Sequence, residues 1–443
     1  MDPLLIAIIV AVFTLIVLFS GIPIAFGLSF VSIVLLVSFE GFQMLDVFAE
    51  TFYAGLNSFV LLSIPMFILM GMAVANSPAG KDLYTGLDRW LWRLPGGLVI
   101  SNIGACSIFA ALSGSSPATC AAIGTMGIPE MRKRGYSDQI ATGTIAAGGT
   151  LGVLIPPSIV LIVYGIATGT SIGRLFLCGL IPGFMLAGMF ALWAYIHSYF
   201  IDKDSAKALK DRKAPTLKEK LEVLPRIFPF LAIIFGVLYV LYGGVATPSE
   251  ASGVGAFLVF VMIAVVYKIY QPKKIWNIVK VSMKESVMIM FIIAASYLFA
   301  FTLSQLYVTQ SLAQSMIELS SNKWVIFILI NIFLLVAGFF LPPVAVIVMT
   351  SAILLPVITT LGFDPYWFAI VFTINMEIGL ITPPVGLNLY IIKGITPDVS
   401  LSEILKGSIP FMIIMALAIV ILCIFPEIVT WLPDKVMGKA LGY

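Results

Sequence analysis

Gly152-Val-Leu-Ile-Pro-Pro157 and Gly379-Leu-Ile-Thr-Pro-Pro384 are two copies of one pattern, a glycine and a proline pair set inside long apolar runs. Proline removes a backbone donor and its ring clashes with the preceding turn, so two in succession break a helix. Carbonyls freed in this way persist at hydrocarbon depth only where protein, water or an ion satisfies them. Outward from these breaks, other pairs keep the same register. Gly179-Leu-Ile-Pro182 matches Gly407-Ser-Ile-Pro410, Ile128-Pro129 matches Leu355-Pro356, and Pro117 falls close to the position matching Pro343. The common offset is about 227 residues, half the chain, as from Gly152 to Gly379.

The runs around the breaks set the class. The 443 residues are 60% hydrophobic and 11% charged, with mean hydropathy +1.09. Soluble domains are roughly 25% charged, so a water-facing surface of this size is excluded. Helix-length apolar runs fall at about 4–20, 22–39, 56–76, 138–168, 175–200, 227–243, 250–268, 285–305, 366–393 and 407–431. Two further regions, 97–131 and 323–358, are interrupted in the middle. The reading is an all-α polytopic membrane protein. Its amino-terminal run MDPLLIAIIV has no basic region or small-residue cleavage site and is expected to stay as the first span. Cys106, Cys120, Cys178 and Cys423 are widely spaced in apolar stretches, which argues for buried free thiols rather than a zinc site or a disulfide framework. A formal charge of +3 points to no polyanion, so no nucleic-acid partner is expected.

Lysine and arginine placement sets the orientation. Lys81, Arg89 and Arg93 precede the first interrupted region, and Arg132, Lys133 and Arg134 follow it. Lys203, Lys207, Lys210, Arg212, Lys213, Lys218, Lys220 and Arg226 crowd one loop; Lys268, Lys273, Lys274, Lys280 and Lys284 crowd another. With ten through-spans these share one side, the cytoplasm, and both termini face the periplasm. Only Arg174, Lys323, Lys435 and Lys439 fall opposite. The stretches 81–95 and 272–284 mix tryptophan with Lys/Arg and read as interfacial amphipathic helices.

By the same bias the two interrupted regions enter from opposite sides, which makes the repeat inverted. Inverted repeats with broken helices mark alternating-access secondary transporters. Leu112-Ser-Gly-Ser-Ser-Pro-Ala-Thr119 fits a re-entrant hairpin whose tip offers hydroxyls, hard neutral ligands compatible with Na+. Ala337-Gly-Phe-Phe-Leu-Pro-Pro343 holds the equivalent place with fewer hydroxyls. A single proline kink is read first as helix shaping; breaks in symmetric pairs favour a site. Glu377 and Asn375 precede the second break and Asn388 follows it, while Ser296 lies in another span. A carboxylate at membrane depth is costly, so Glu377 either serves function or anchors a helix by accepting hydrogen bonds. No phosphate-binding loop, nucleophile elbow or His/Glu metal pair is present, so an enzyme, an ATPase included, is not indicated.

Along nearly its full length the chain resembles the large membrane subunit of tripartite ATP-independent periplasmic (TRAP) transporters, the DctM-like permeases. The resemblance is carried by Ser63-Ile-Pro-Met-Phe-Ile-Leu-Met-Gly71, Ala111-Leu-Ser-Gly-Ser-Ser-Pro-Ala-Thr119, Gly152-Val-Leu-Ile-Pro-Pro-Ser158, Ala246-Thr-Pro-Ser-Glu-Ala251 and Gly379-Leu-Ile-Thr-Pro-Pro-Val-Gly-Leu-Asn388. It implies an elevator in which a transport domain slides against a scaffold. The transport domain would comprise 97–174 (hairpin 97–131, broken helix 138–168) and 323–400 (hairpin 323–358, broken helix 366–393). The scaffold would comprise 1–76, 175–268 and 285–322, with interfacial arms at 77–96 and 269–284 and a C-terminal helix in 401–443. It implies Na+-coupled uptake of an organic acid delivered by a periplasmic binding protein, with a small four-helix membrane subunit widening the scaffold.

Carried over by position, one Na+ would meet Ser113, Ser116, Gly152, Ile155 and Pro157, and a second would meet Gly338, Gly379, Thr382 and Val385. A small carboxylate (C4-dicarboxylate, sialic acid or similar) would lie between the tips, with Ser115, Ser296, Glu377 and Asn388 as candidate contacts. Lys393 is the nearest cation, and its place toward the cytoplasmic end argues for snorkelling. The alternatives are a stand-alone Na+/carboxylate symporter or antiporter of the same architecture, and a channel or membrane scaffold. The latter would need a continuous polar stripe, which the sequence does not contain.

Overall fold

The computed structural model describes residues 3–201, 215–319 and 322–439, and every regular element among them is helical. Helices α1 (Pro3–Phe19) and α2 (Ile24–Glu40) precede short α3 (Leu45–Ala54), α4 (Ser63–Ala75) and α5 (Ala79–Trp90). The first half of the repeat follows as α6 (Gly97–Ser113), α7 (Ser116–Lys133), α8 (Asp138–Leu154), α9 (Ile159–Thr168) and long α10 (Ile172–Ile196). Then come α11 (Leu217–Tyr242), α12 (Pro248–Tyr267), α13 (Pro272–Gln305) and α14 (Val308–Leu319). The second half is α15 (Lys323–Phe340), α16 (Pro343–Thr360), α17 (Pro365–Leu380), α18 (Leu387–Ile395) and α19 (Leu401–Ile424), with α20 (Glu427–Met437) after it. Both halves therefore run through a tight helix pair, a broken helix and a long helix.

Local chemistry explains each interruption. Gly114 closes α6 in the left-handed region (φ 57°), and Pro117 sits in the first turn of α7, where a missing N–H costs nothing. Pro343 does the same at the start of α16. The glycine–proline pairs fall where the pattern placed them: α8 stops at Leu154 and α17 at Leu380, and both Pro156–Pro157 and Pro383–Pro384 are cis. Ser137 caps α8 by accepting from the Ile140 N–H, and Asp364 caps α17 by accepting from Tyr366 and Trp367.

Eight helical stretches among the described residues are long and apolar enough to cross a membrane, counting α8 with α9 as one. A ninth arises if the pair Phe42–Ala54 and Phe59–Ala75, bent by 56°, is one span. The sequence suggested ten. Six of those ten runs are among the eight; the other two are α15 and α16, which the sequence suggested were the arms of one interrupted region. Missing from the ten are the bent pair ending in α4, the broken α17–α18, and α1 and α2, whose 17 residues each reach about 25 Å of a roughly 30 Å hydrocarbon core. Outward-facing Ile16, Phe26, Phe235, Phe257, Ile332 and Ile413 are more than half exposed, as lipid-facing residues are. The arm at 77–96 contains α5, whose buried Asp82 accepts from Tyr267 Oη at 2.9 Å and whose Asp88 meets Arg134 at 3.0 Å. Residues 272–284 form no separate helix: no glycine or proline interrupts α13 after Pro272, so they are the opening turns of one 34-residue helix, and 269–271 precede it. Lys203, Lys207, Lys210, Arg212 and Lys213 lie outside the described residues.

The broken helices occupy the core. Residues 140–154 of α8 and 367–380 of α17 are buried throughout. The halves interlock: α7 packs on α18, and α16 packs on α9. Glycines permit the closest approaches. A Cβ on Gly143 would stand 2.1 Å from the carbonyl oxygen of Gly407, so α8 and α19 meet backbone to backbone.

Candidate functional site

Each helix-pair tip is seated on the break of its own half. At the first, a Cβ on Gly114 would lie 2.8 Å from the Pro157 carbonyl oxygen, and one on Gly152 would lie 2.8 Å from that of Ser115. Only glycine leaves room for these two backbones. The far side of the tip rests on α4, where a Cβ on Gly71 would be 2.6 Å from the Ser113 carbonyl oxygen. Break residues 155–158 are all buried. Ile155 turns its side chain toward α10, where a Cβ on Gly183 would touch it at 2.8 Å, so only its backbone is left to face the tip.

Oxygen atoms gather here. The hydroxyls of Ser113 and Thr119 are 2.8 Å apart, and Thr119 donates to the Ser115 carbonyl at 2.8 Å. Ser116 accepts from Asn388 Nδ2 at 2.8 Å, and the same amide donates to the Ala146 carbonyl at 3.0 Å. Asn388 belongs to α18, so one fully buried amide ties the first tip, the first broken helix and the second broken helix together. Hydroxyls and carbonyls around Ser113–Ser116, Gly152 and Pro157 are the hard oxygen set that suits a small monovalent cation better than a soft metal.

At the second break, a Cβ on Gly379 would be 2.5 Å from the Gly338 carbonyl oxygen. The Val385 N–H donates to the Phe339 carbonyl at 3.2 Å, and Thr382 Oγ1 donates to the Ile378 carbonyl at 2.6 Å. Gly386 takes the left-handed region (φ 47°) to start α18. Unlike the first break, this one is open: Pro383, Pro384 and Val385 are exposed and Thr382 is half-buried.

The structure thus brings Ser113, Ser115, Ser116, Gly152, Ile155 and Pro157 into one cluster, and Gly338, Gly379, Thr382 and Val385 into another. Asn388 joins the first cluster, with its amide already engaged. Ser296 and Glu377 are wholly buried, and neither the Ser296 hydroxyl nor the Glu377 carboxylate has a hydrogen-bond partner among the described residues. Helix α13, which carries Ser296, packs on α2, α4 and α16 rather than on either broken helix. Thr119, part of the quoted tip but not among the candidate contacts, belongs to this cluster, and its signal was its place four residues after Ser115. Sequence reading left out Asn331, which pairs with Asn375 across α15 and α17 and whose signal was an amide inside an apolar helix.

Residues 9–428 match the family described as tripartite ATP-independent periplasmic transporter, DctM component. The chain is 34% identical to a C4-dicarboxylate TRAP transporter large permease protein of Vibrio cholerae, covering 95% of this chain and 96% of that one. A sialic acid TRAP transporter large permease protein of the same species is 28% identical, over 95% of this chain and 97% of that one. In shape the chain is similar to the YdaH transporter of Alcanivorax borkumensis, with a TM-score of 0.65 at 14% identity over 96% of this chain and 99% of that one.

Proposed function

The chain belongs to the DctM component family of tripartite ATP-independent periplasmic transporters, the large permease subunits, and from that premise we propose Na+-coupled import of a small organic acid anion. It is a multi-span membrane protein and not an enzyme. One observation carries the reading: two helix-pair tips sit on two proline breaks in equivalent places of the two halves, each joined by glycine-sized contacts. Each unit offers backbone carbonyls freed at a helix end together with hydroxyls, several at the first and that of Thr382 at the second, which form a cation site without a fixed charge. Two Na+ ions held there supply the positive field that a carboxylate needs, since the hydrogen-bond partners of Ser113, Ser116 and Asn388 among the described residues are hydroxyl, amide and carbonyl groups, not lysine or arginine.

In this reading the helix pairs are re-entrant hairpins entering from opposite faces of the bacterial inner membrane. Hairpins and broken helices move together as the transport domain. The backbone contacts of Gly152 and Gly379 hold each tip to its break, so ion, anion and tips travel as a unit. Helices α1, α2, α4 and α11–α14 form the scaffold, both termini lie in the periplasm, and α5 rests on the cytoplasmic face. A periplasmic binding protein delivers the anion, and a small four-helix subunit completes the scaffold. The relatives named for C4-dicarboxylate and for sialic acid both concern carboxylates, which supports the substrate class.

Reconstitution tests the assignment. Proteoliposomes holding this chain and the small subunit should take up the anion only with an inward Na+ gradient and the binding protein present. Uptake by this chain alone, without a binding protein, contradicts the proposal and favours a stand-alone symporter.

A further inference from the structure

An apolar groove of about 840 Å3 opens between the α1–α2 turn and the first half of α13, and its far wall reaches Pro342 at the tip of the second helix pair. Ala25 and Ile292, both buried, form its floor beside the edge-to-face contact of Phe26 with Phe291 at 5.0 Å. One end differs in chemistry. Trp276, Lys280 and Lys284 line it, one helical turn apart and exposed, while Glu285 is not among the lining residues.

We propose that this groove holds one anionic phospholipid, an acyl chain along α13 and the headgroup phosphate on Lys280 and Lys284. Length, charge and place argue for that occupant. Residues 276–292 of α13 span about 24 Å, close to the roughly 20 Å of a single leaflet with its headgroups. Tryptophan and lysine at one end, with uninterrupted hydrocarbon beyond, reproduce the polarity gradient of that leaflet. Lysines near an anionic surface each contribute about 1 kcal/mol, so two give a preference for net negative headgroups. Because the groove ends on Pro342, its occupant touches a tip. A fluid chain fills that gap without locking the tip, whereas a protein helix wedged there would immobilise it. The site stands whichever ion or anion the protein carries.

Native mass spectrometry of the purified full chain tests this, with phosphatidylglycerol and phosphatidylcholine of identical chains as probes. Wild-type protein should retain phosphatidylglycerol about thirtyfold better, the two lysine contributions combined. Lys280→Ala with Lys284→Ala should bring the ratio to about one. Val287→Trp fills the groove from a side chain that is 59% exposed, so the fold is unaffected, and it should reduce retention of both lipids. A preference that survives the double lysine substitution overturns the proposal, as does unchanged retention in Val287→Trp. With a photo-crosslinking residue at position 287 in cells that also make the small subunit, adducts to phospholipid support the lipid site. Adducts to a helix of that subunit overturn it.

Discussion

The first tip and break and the second share a backbone plan and differ in what holds them. At the first, side chains add to the backbone seat of Gly114 and Gly152: Ser113 pairs with Thr119 inside the tip, and Asn388 pairs with Ser116 and the Ala146 carbonyl, all in a buried setting. At the second, backbone meets backbone, with Gly379 against Gly338 and the Val385 N–H on the Phe339 carbonyl, and the loop 383–385 is exposed. A repeated sequence thus yields two like frames, and divergence of the polar side chains makes one a closed anchor and the other an open mouth. On the proposed function, an ion would reach the open unit without rearrangement, whereas the closed unit would have to part hydrogen bonds first.

The steepest loss should come from Gly379→Ala. The added methyl would stand 2.5 Å from a backbone oxygen that has no flexible end to move, and overpacking of this kind costs about 1–3 kcal/mol. Uptake should fall about tenfold or more, whereas Gly394→Ala, with nothing within 4 Å, should leave uptake near wild type. Equal tolerance of both would remove the backbone seat from the account. Asn388→Ala ranks next. It strips the side-chain partner from the buried Ser116 hydroxyl, at about 1–3 kcal/mol, without pushing backbones apart, so both the thermal midpoint and the uptake rate should drop. A drop in uptake with an unchanged midpoint would move Asn388 from anchor to substrate contact.

Ser113→Ala should raise the half-saturating Na+ concentration about fivefold, the worth of one hydrogen-bonding oxygen near 1 kcal/mol. Thr382→Ala, at the open mouth, should raise it about two- to threefold, because water can replace part of what the hydroxyl supplies. The smallest effect belongs to the tie between the base of α7 and the loop after α18. There the hydrogen bond from Arg132 holds the Asp398 carboxyl below the usual carboxylate range. With the folded value depressed, this pair stabilises above the ordinary carboxylate range, and its contribution is lost as pH falls through the depressed value. Asp398→Asn should therefore lower the melting midpoint slightly at neutral pH, and acidification should close the difference.

Much of the frame was legible because glycine and proline act locally. Gly152–Pro157 and Gly379–Pro384 break helices wherever they stand, so their spacing alone marked the matching halves. What joins the halves was not legible. Asn388 and Ser116 are 272 residues apart, and nothing in either neighbourhood announces the other. The openness of the second break was hidden for the same reason, since Thr-Pro-Pro-Val and Ile-Pro-Pro-Ser look alike until packing covers one and not the other. At 284 a change of composition suggested a boundary, yet the backbone carries no breaker after Pro272 and α13 runs on.

The central claim, that both units bind the coupling ion, is tested most directly by initial uptake rate against Na+ concentration for four proteins. These are the wild type, Ser113→Ala, Thr382→Ala and the two combined, each reconstituted with the small subunit and the binding protein. Two ion-binding units should give a cooperative curve for the wild type, a shift to higher Na+ for each single variant, and a larger shift for the pair than for either alone. Four superimposed curves, or a wild-type curve without cooperativity, would contradict that claim.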